Sequence, residues 1–148
     1  MLATIETIRE ISHRCLAEQP LNEEQSRWLG ESLRSFLEHS STSVDDAMGL
    51  HFPRGGVPWW REDAIRRRNG ALRELAERFF GALSPTARAR EIWTLATRYG
   101  ASTWRFDRER SEPPEHYNGT PKQYLWAAFA SGATMPICRR QLRTVLGA

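Results

Sequence analysis

Lysine is nearly missing from this chain: of its 21 basic residues only Lys122 is lysine, and the other twenty are arginine. Cysteine is sparse as well. Cys15 and Cys138 are the only two, far apart and without CxxC spacing. A disulfide framework is therefore not expected and a reducing compartment is, although pairing of these two stays open. The four histidines, His13, His39, His51 and His116, lie scattered without the spacing of metal ligands. No apolar run approaches the roughly 18 residues of a membrane span. The first residues carry Glu6, Arg9, Glu10, His13 and Arg14, which breaks any leader-like apolar core, so a cytoplasmic protein is expected. The Asn118-Gly119-Thr120 sequon carries weight only in a secreted chain.

Catalytic signatures are missing too. The chain has no HExxH, no Gly-x-Ser-x-Gly, no dinucleotide-binding glycine pattern and no Walker A. A non-enzymatic protein without a cofactor is the expectation. Asp45, Asp46, Glu62 and Asp63 would form a nuclease-like set only if the fold gathered them. No segment alternates apolar and polar residues over strand length, and no repeat of about 20–50 residues occurs. A chain of 148 residues normally makes one domain, here all-α, with six to eight helices around a core rich in tryptophan and phenylalanine.

What is present is polarised charge. Residues 1–50 hold four arginines against nine acids, a formal −5, and residues 51–148 hold seventeen basic residues against nine acids, a formal +8. Arginine binds phosphate and carboxylate through two parallel bonds, so such a surface suits nucleic acid or an acidic partner. Codon bias in a GC-rich genome also produces arginine in excess. The charge divides the chain into an acidic helical front (1–50), a basic long-helix middle (51–110), a Pro113-Pro114 linker (111–119) and a basic helix pair (120–148).

Helical spacing predicts the elements. In the first helix, to about Glu18, Leu2, Ile5, Ile8, Ile11, Cys15 and Leu16 share a stripe, with Cys15 expected as a small buried hydrophobe. Asn22 and Gln25 form a capping-box pattern opening a second helix to about His39, with Trp28, Leu29, Leu33, Phe36 and Leu37 inward. The two should pair antiparallel. Ser43 starts a short third helix whose Asp45 and Asp46 suit the helix dipole. Leu50 to Pro58, with Gly55-Gly56 between prolines, reads as a connector. The single Arg54-Gly55-Gly56 resembles one unit of an RNA-binding array. Trp59 to Phe80 is the longest helix. Its Arg61, Arg66, Arg67 and Arg68 beside Trp59 and Trp60 could hold a nucleic-acid backbone, or pair with Glu62 and Asp63 on a solvated face. Ser84-Pro85 opens a fifth helix to about Tyr99, with Gly100 allowing a turn. Trp104, Arg105, Arg108 and Arg110 then give one helix-turn-helix candidate, which Asp107 and Glu109 dilute.

The sharper candidate is Thr120 to Ala148, which contains no acid. Thr120-Pro121 starts a helix, Gly132 ends it, and Pro136 is expected to start another after a tight turn. Ile137, Leu142, Val145 and Leu146 make its apolar side. Arg139, Arg140, Gln141 and Arg143 suit phosphates and base edges. Lys122, Arg66, Arg67 and Arg68 are expected as auxiliary phosphate contacts. Two helices joined by a short turn at a domain's end are more often plain packing.

The words Trp28-Leu29, Ser43-Val44-Asp45-Asp46-Ala47-Met48-Gly49-Leu50, Arg67-Arg68-Asn69, Leu72-Arg73-Glu74-Leu75-Ala76 and Phe79-Phe80, with Gly119-Thr120-Pro121, Leu125-Trp126, Pro136 and Arg140-Gln141-Leu142 near the end, carry a resemblance. The chain resembles small, arginine-rich, uncharacterised proteins encoded in bacterial prophage-like regions. The resemblance implies a setting and no site residues. In that setting small non-enzymatic proteins bind DNA, regulate phage genes or inhibit host defence complexes. A DNA-binding regulator or accessory factor, with a homodimer as one form open to it, is the first expectation. A protein-interaction module, such as an inhibitor of a host complex, is the alternative.

Overall fold

The computed structural model describes residues 2–51 and 54–147. Among the described residues every regular element is helical: α1 (Leu2–Leu16), α2 (Glu23–Leu37), α3 (Val44–Ala47), α4 (Trp59–Phe80), α5 (Pro85–Ser102), α6 (Trp104–Asp107), a 3-10 turn (Glu115–Tyr117), α7 (Pro121–Ala130) and α8 (Arg139–Leu146). None of these helices is long and apolar enough to cross a membrane. The chain divides into two compact units, Met1–Trp59 and Trp60–Ala148.

In the first unit the local capping signals hold. Asn22 Oδ1 accepts from Gln25 N at 2.7 Å, and Gln25 Oε1 accepts from Asn22 N at 3.2 Å. Ser43 Oγ accepts from Asp46 N at 3.1 Å, and Asp45 accepts from Trp59 Nε1 at 3.4 Å. The expected burial faces are only partly realised. Ile5 and Ile11 are buried, but Cys15 lies exposed as a free thiol and Leu16 is 85% exposed. On α2 the buried residues are Gln25 and Ser32, while Leu37 is 72% and Leu33 44% exposed. The buried arc is offset from the most apolar one, and its polar members are bonded locally: Gln25 serves the cap and Ser32 returns its hydroxyl to the Trp28 carbonyl at 2.9 Å. Both polar side chains are thereby satisfied and can turn inward.

The second unit holds one core, built from Leu72, Leu75 and Ala76 of α4, Ala89, Ile92 and Tyr99 of α5, Tyr124, Leu125 and Ala128 of α7, Leu142 and Val145 of α8, and Tyr117. Leu72, Leu75, Ile92 and Leu125 are fully buried, each stabilising by about 1.5–3 kcal/mol relative to exposure. Arginines of α4 and α5 tie the backbone together. Arg73 Nε donates to the Val145 carbonyl at 2.9 Å. Arg88 donates to the carbonyls of Phe80, Gly81 and Leu83 at 3.2, 2.9 and 3.3 Å, which satisfies oxygens orphaned where α4 ends. Ser84 caps α5, accepting from Ala87 N at 3.3 Å.

Gly100 does not make the expected turn. It lies inside α5, where a Cβ would come within 3.1 Å of the Phe129 ring, so its role is close helix approach rather than a break. The segment expected as a linker is anchored: Tyr117 is buried, and its hydroxyl donates to Asp107 Oδ2 at 2.9 Å. Tyr99 donates to the same oxygen at 2.9 Å, and Arg110 Nε lies 3.6 Å from Asp107 Oδ1. Burial first, then hydrogen bonding to the Asp107 carboxylate, pushes both phenols above the ordinary tyrosine value. Their sign is clear. Above about pH 10 the unfolded chain releases tyrosine protons that the folded state retains, so stability is full below that pH and falls above it. Each such tyrosine should contribute about 1.4 kcal/mol of lost stability per pH unit in that range. Urea unfolding followed through the alkaline range should show the decline, and Tyr117→Phe should make it shallower. An unchanged alkaline slope would mean that Tyr117 does not retain its proton on folding.

Candidate nucleic-acid interface

The basic residues predicted near the C-terminus are carried on α8, but not by the expected turn. Residues 131–138 form an irregular connection, and the helix begins at Arg139 rather than at Pro136. Gly132 does take the left-handed conformation, φ 80°, just past α7. Ile137 lies outside the helix and is 81% exposed, whereas Leu142 and Val145 are buried. α8 packs principally on α5. Turning Leu142 and Val145 inward leaves Arg140 and Arg143 on the outer arc, with Arg139 at its flank.

These three arginines line one groove with Arg90, Ser84, Thr86 and Ala87 from the start of α5, enclosing about 500 Å³. Arg139 stacks its guanidinium 5.1 Å from the Trp93 ring centroid, which orients the side chain while leaving it charged. Arg90 lies 3.2 Å from Glu91 in an exposed pair, a weak neutralisation in water. The guanidinium groups of Arg140 and Arg143 have no acceptor among the described residues. Among the described residues no carboxylate lines the groove. Four positive side chains, with Ser84 and Thr86, therefore line one channel beside the start of α5, an arrangement suited to phosphate oxygens.

The other predicted contacts fall elsewhere. Gln141 Oε1 accepts from Ile137 N at 3.0 Å and so braces the approach to α8. Lys122 is exposed, with Nζ 5.4 Å from the Tyr117 ring centroid. Arg66 donates to Asp63, one of the two acids expected to pair with this cluster, at 2.8 Å. Arg67 is exposed and lines a different hollow with Gly70, Gln123 and Tyr124. Arg68 is buried, bonded to Asn69 Oδ1 and to the Thr134 carbonyl, so it braces the 131–138 connection instead of offering a surface contact. Burial lowers its pKa below the usual arginine value. In the other helix-turn-helix candidate, Arg108 and Arg110 pair with Glu109 and Asp107, and α6 is a single turn.

Arg90 was the residue hidden from the sequence. With Ala89, Ile92 and Tyr99 of α5 buried, its outward direction follows from helical periodicity, but its neighbour α8 is some fifty residues away and no local pattern names it. Among the described residues no group of three or more His, Cys, Asp or Glu side chains is placed to hold a metal ion. Comparison of the chain with protein-family models, curated proteins and solved structures finds no match.

Proposed function

We propose that this protein binds DNA through its phosphate backbone, with the α5–α8 groove as the contact surface, in the role of a prophage-related regulator or accessory factor. The observation that carries this reading is the convergence of Arg90, Arg139, Arg140 and Arg143 on one groove, without a lining carboxylate among the described residues. Arg140 and Arg143 have no partner among the described residues, and a groove of one sign raises the local concentration of a polyanion. Phosphate contacts fix position and carry no sequence information, so the groove supports DNA affinity before it supports specificity. Gln141, used within the protein, supplies no base contact in this reading.

The test is a fluorescence-anisotropy titration of the protein into a labelled random-sequence duplex at low salt. Saturable binding in the micromolar range or tighter is expected. Absence of binding at low salt would remove the reading.

A second reading, a protein-interaction module, is favoured by one observation in the first unit: Leu16, Leu33 and Leu37 are exposed on an acidic segment. Apolar side chains exposed on a charged segment are candidates for a partner surface where they form one patch. A lack of DNA binding, together with capture of a protein partner that Leu37→Asp abolishes, would select it.

A further inference from the structure

A second cavity lies in the same unit, between the first half of α4 and the 131–138 connection, with a volume of about 600 Å³. This is the size range of small-molecule sites. Its apolar wall is formed by Trp60, Ile65, Met135 and Ile137, and among the described residues its charged lining is Arg61 and Arg68. Ile137 at 81% exposure and Trp60 at 53% stand at its open side.

Arg68 is the informative residue. It is 91% buried by its 9% relative exposure, yet its partners, Asn69 Oδ1 and the Thr134 carbonyl, are both neutral. No carboxylate pairs with it among the described residues, and none lines the cavity. A buried charge without a counter-charge is costly, and it is retained here on the wall of a cavity. Three of its N–H groups are engaged, which leaves two of the five that a guanidinium carries. Arg61, exposed and without a partner among the described residues, adds a second positive group on the same cavity.

We infer that this cavity is a binding site for a small organic carboxylate with an apolar body. The carboxylate sits against Arg68 and Arg61, and the apolar part lies along Ile65, Met135 and Ile137 toward Trp60. The site is distinct from the arginine groove and does not depend on DNA binding. A ligand lacking the charge leaves Arg68 uncompensated, and one lacking the apolar body forfeits burial against the wall, so both parts are required.

The experiment titrates the full chain with decanoate, decanol and acetate, each below its micelle or solubility limit, followed by calorimetry and tryptophan fluorescence. Decanoate should bind saturably at one site, with decanol and acetate each weaker by about tenfold or more. Arg61→Gln should weaken decanoate several-fold without changing decanol. Ile137→Asp, at an exposed position, should weaken decanoate as well. Arg68→Met, provided its circular dichroism matches the parent chain, should erase the preference for decanoate over decanol. If that variant does not fold, the ligand series and Arg61→Gln decide alone. Failure of decanoate to saturate, or equal binding of decanoate and decanol, would overturn the proposal.

Discussion

Reversing two charges, Arg140→Glu with Arg143→Glu, should lower affinity for duplex DNA by about hundredfold or more at low salt, because like charges then face the phosphates. The fold should be unaffected. Both side chains are exposed, and neither guanidinium has a partner among the described residues. The loss should be one of position, not of net charge alone. Arg67→Glu changes the overall charge in the same sense but lines a different hollow, and it should cost far less per substitution. Anisotropy titrations of the three proteins on one duplex make the comparison. A loss per charge from Arg67→Glu equal to that of the α8 pair would place binding in the overall field rather than in the groove.

The second large effect is on stability. Asp107 is buried and joins Tyr99, Tyr117 and Arg110, and with them α5, α6 and the turn before α7. Asp107→Ala removes the acceptor of two buried hydroxyls at once and should destabilise by about 3–5 kcal/mol, as for other broken buried charge networks. Asp107→Asn keeps one acceptor oxygen and should cost less, about 1–3 kcal/mol. Urea unfolding of the two variants gives the ranking. An Asp107→Ala protein within about 1 kcal/mol of the parent chain would show that water replaces the carboxylate, since the full penalty falls only on unsatisfied groups.

Local chemistry was legible in the sequence. The Asn22–Gln25 box, the Ser43 and Ser84 caps and the Pro85 and Pro121 starts each depend on residues within one turn, and each stands where the pattern places it. Thr120 is a partial exception: it precedes α7 as expected, but its hydroxyl donates to the Tyr117 carbonyl at 2.7 Å instead of capping. Features set by distant partners were not legible. Gly100 and Pro136 carry the same local signals as true helix boundaries, yet one serves the approach of Phe129 and the other lies within an irregular connection. That connection is braced by Arg68, 66 residues away from Thr134 in the chain. The outward arc of α8 was readable from Leu142 and Val145. Its meeting with Arg90 was not, because periodicity gives direction and never the identity of the neighbour. The Arg66–Arg68 cluster, one run in sequence, is dispersed for the same helical reason: neighbours in sequence diverge by about 100° around the axis.

The most direct test of the α5–α8 groove as a phosphate-binding surface is the salt dependence of DNA affinity, measured for the parent chain and for Arg90→Gln, Arg140→Gln and Arg143→Gln singly and together. Four phosphate contacts give a slope of log affinity against log salt of roughly −3.6, and each neutral substitution should make it shallower by about 0.9. A triple variant that retains the parent slope would show that the phosphates are neutralised elsewhere on the molecule, and the groove would not be the interface.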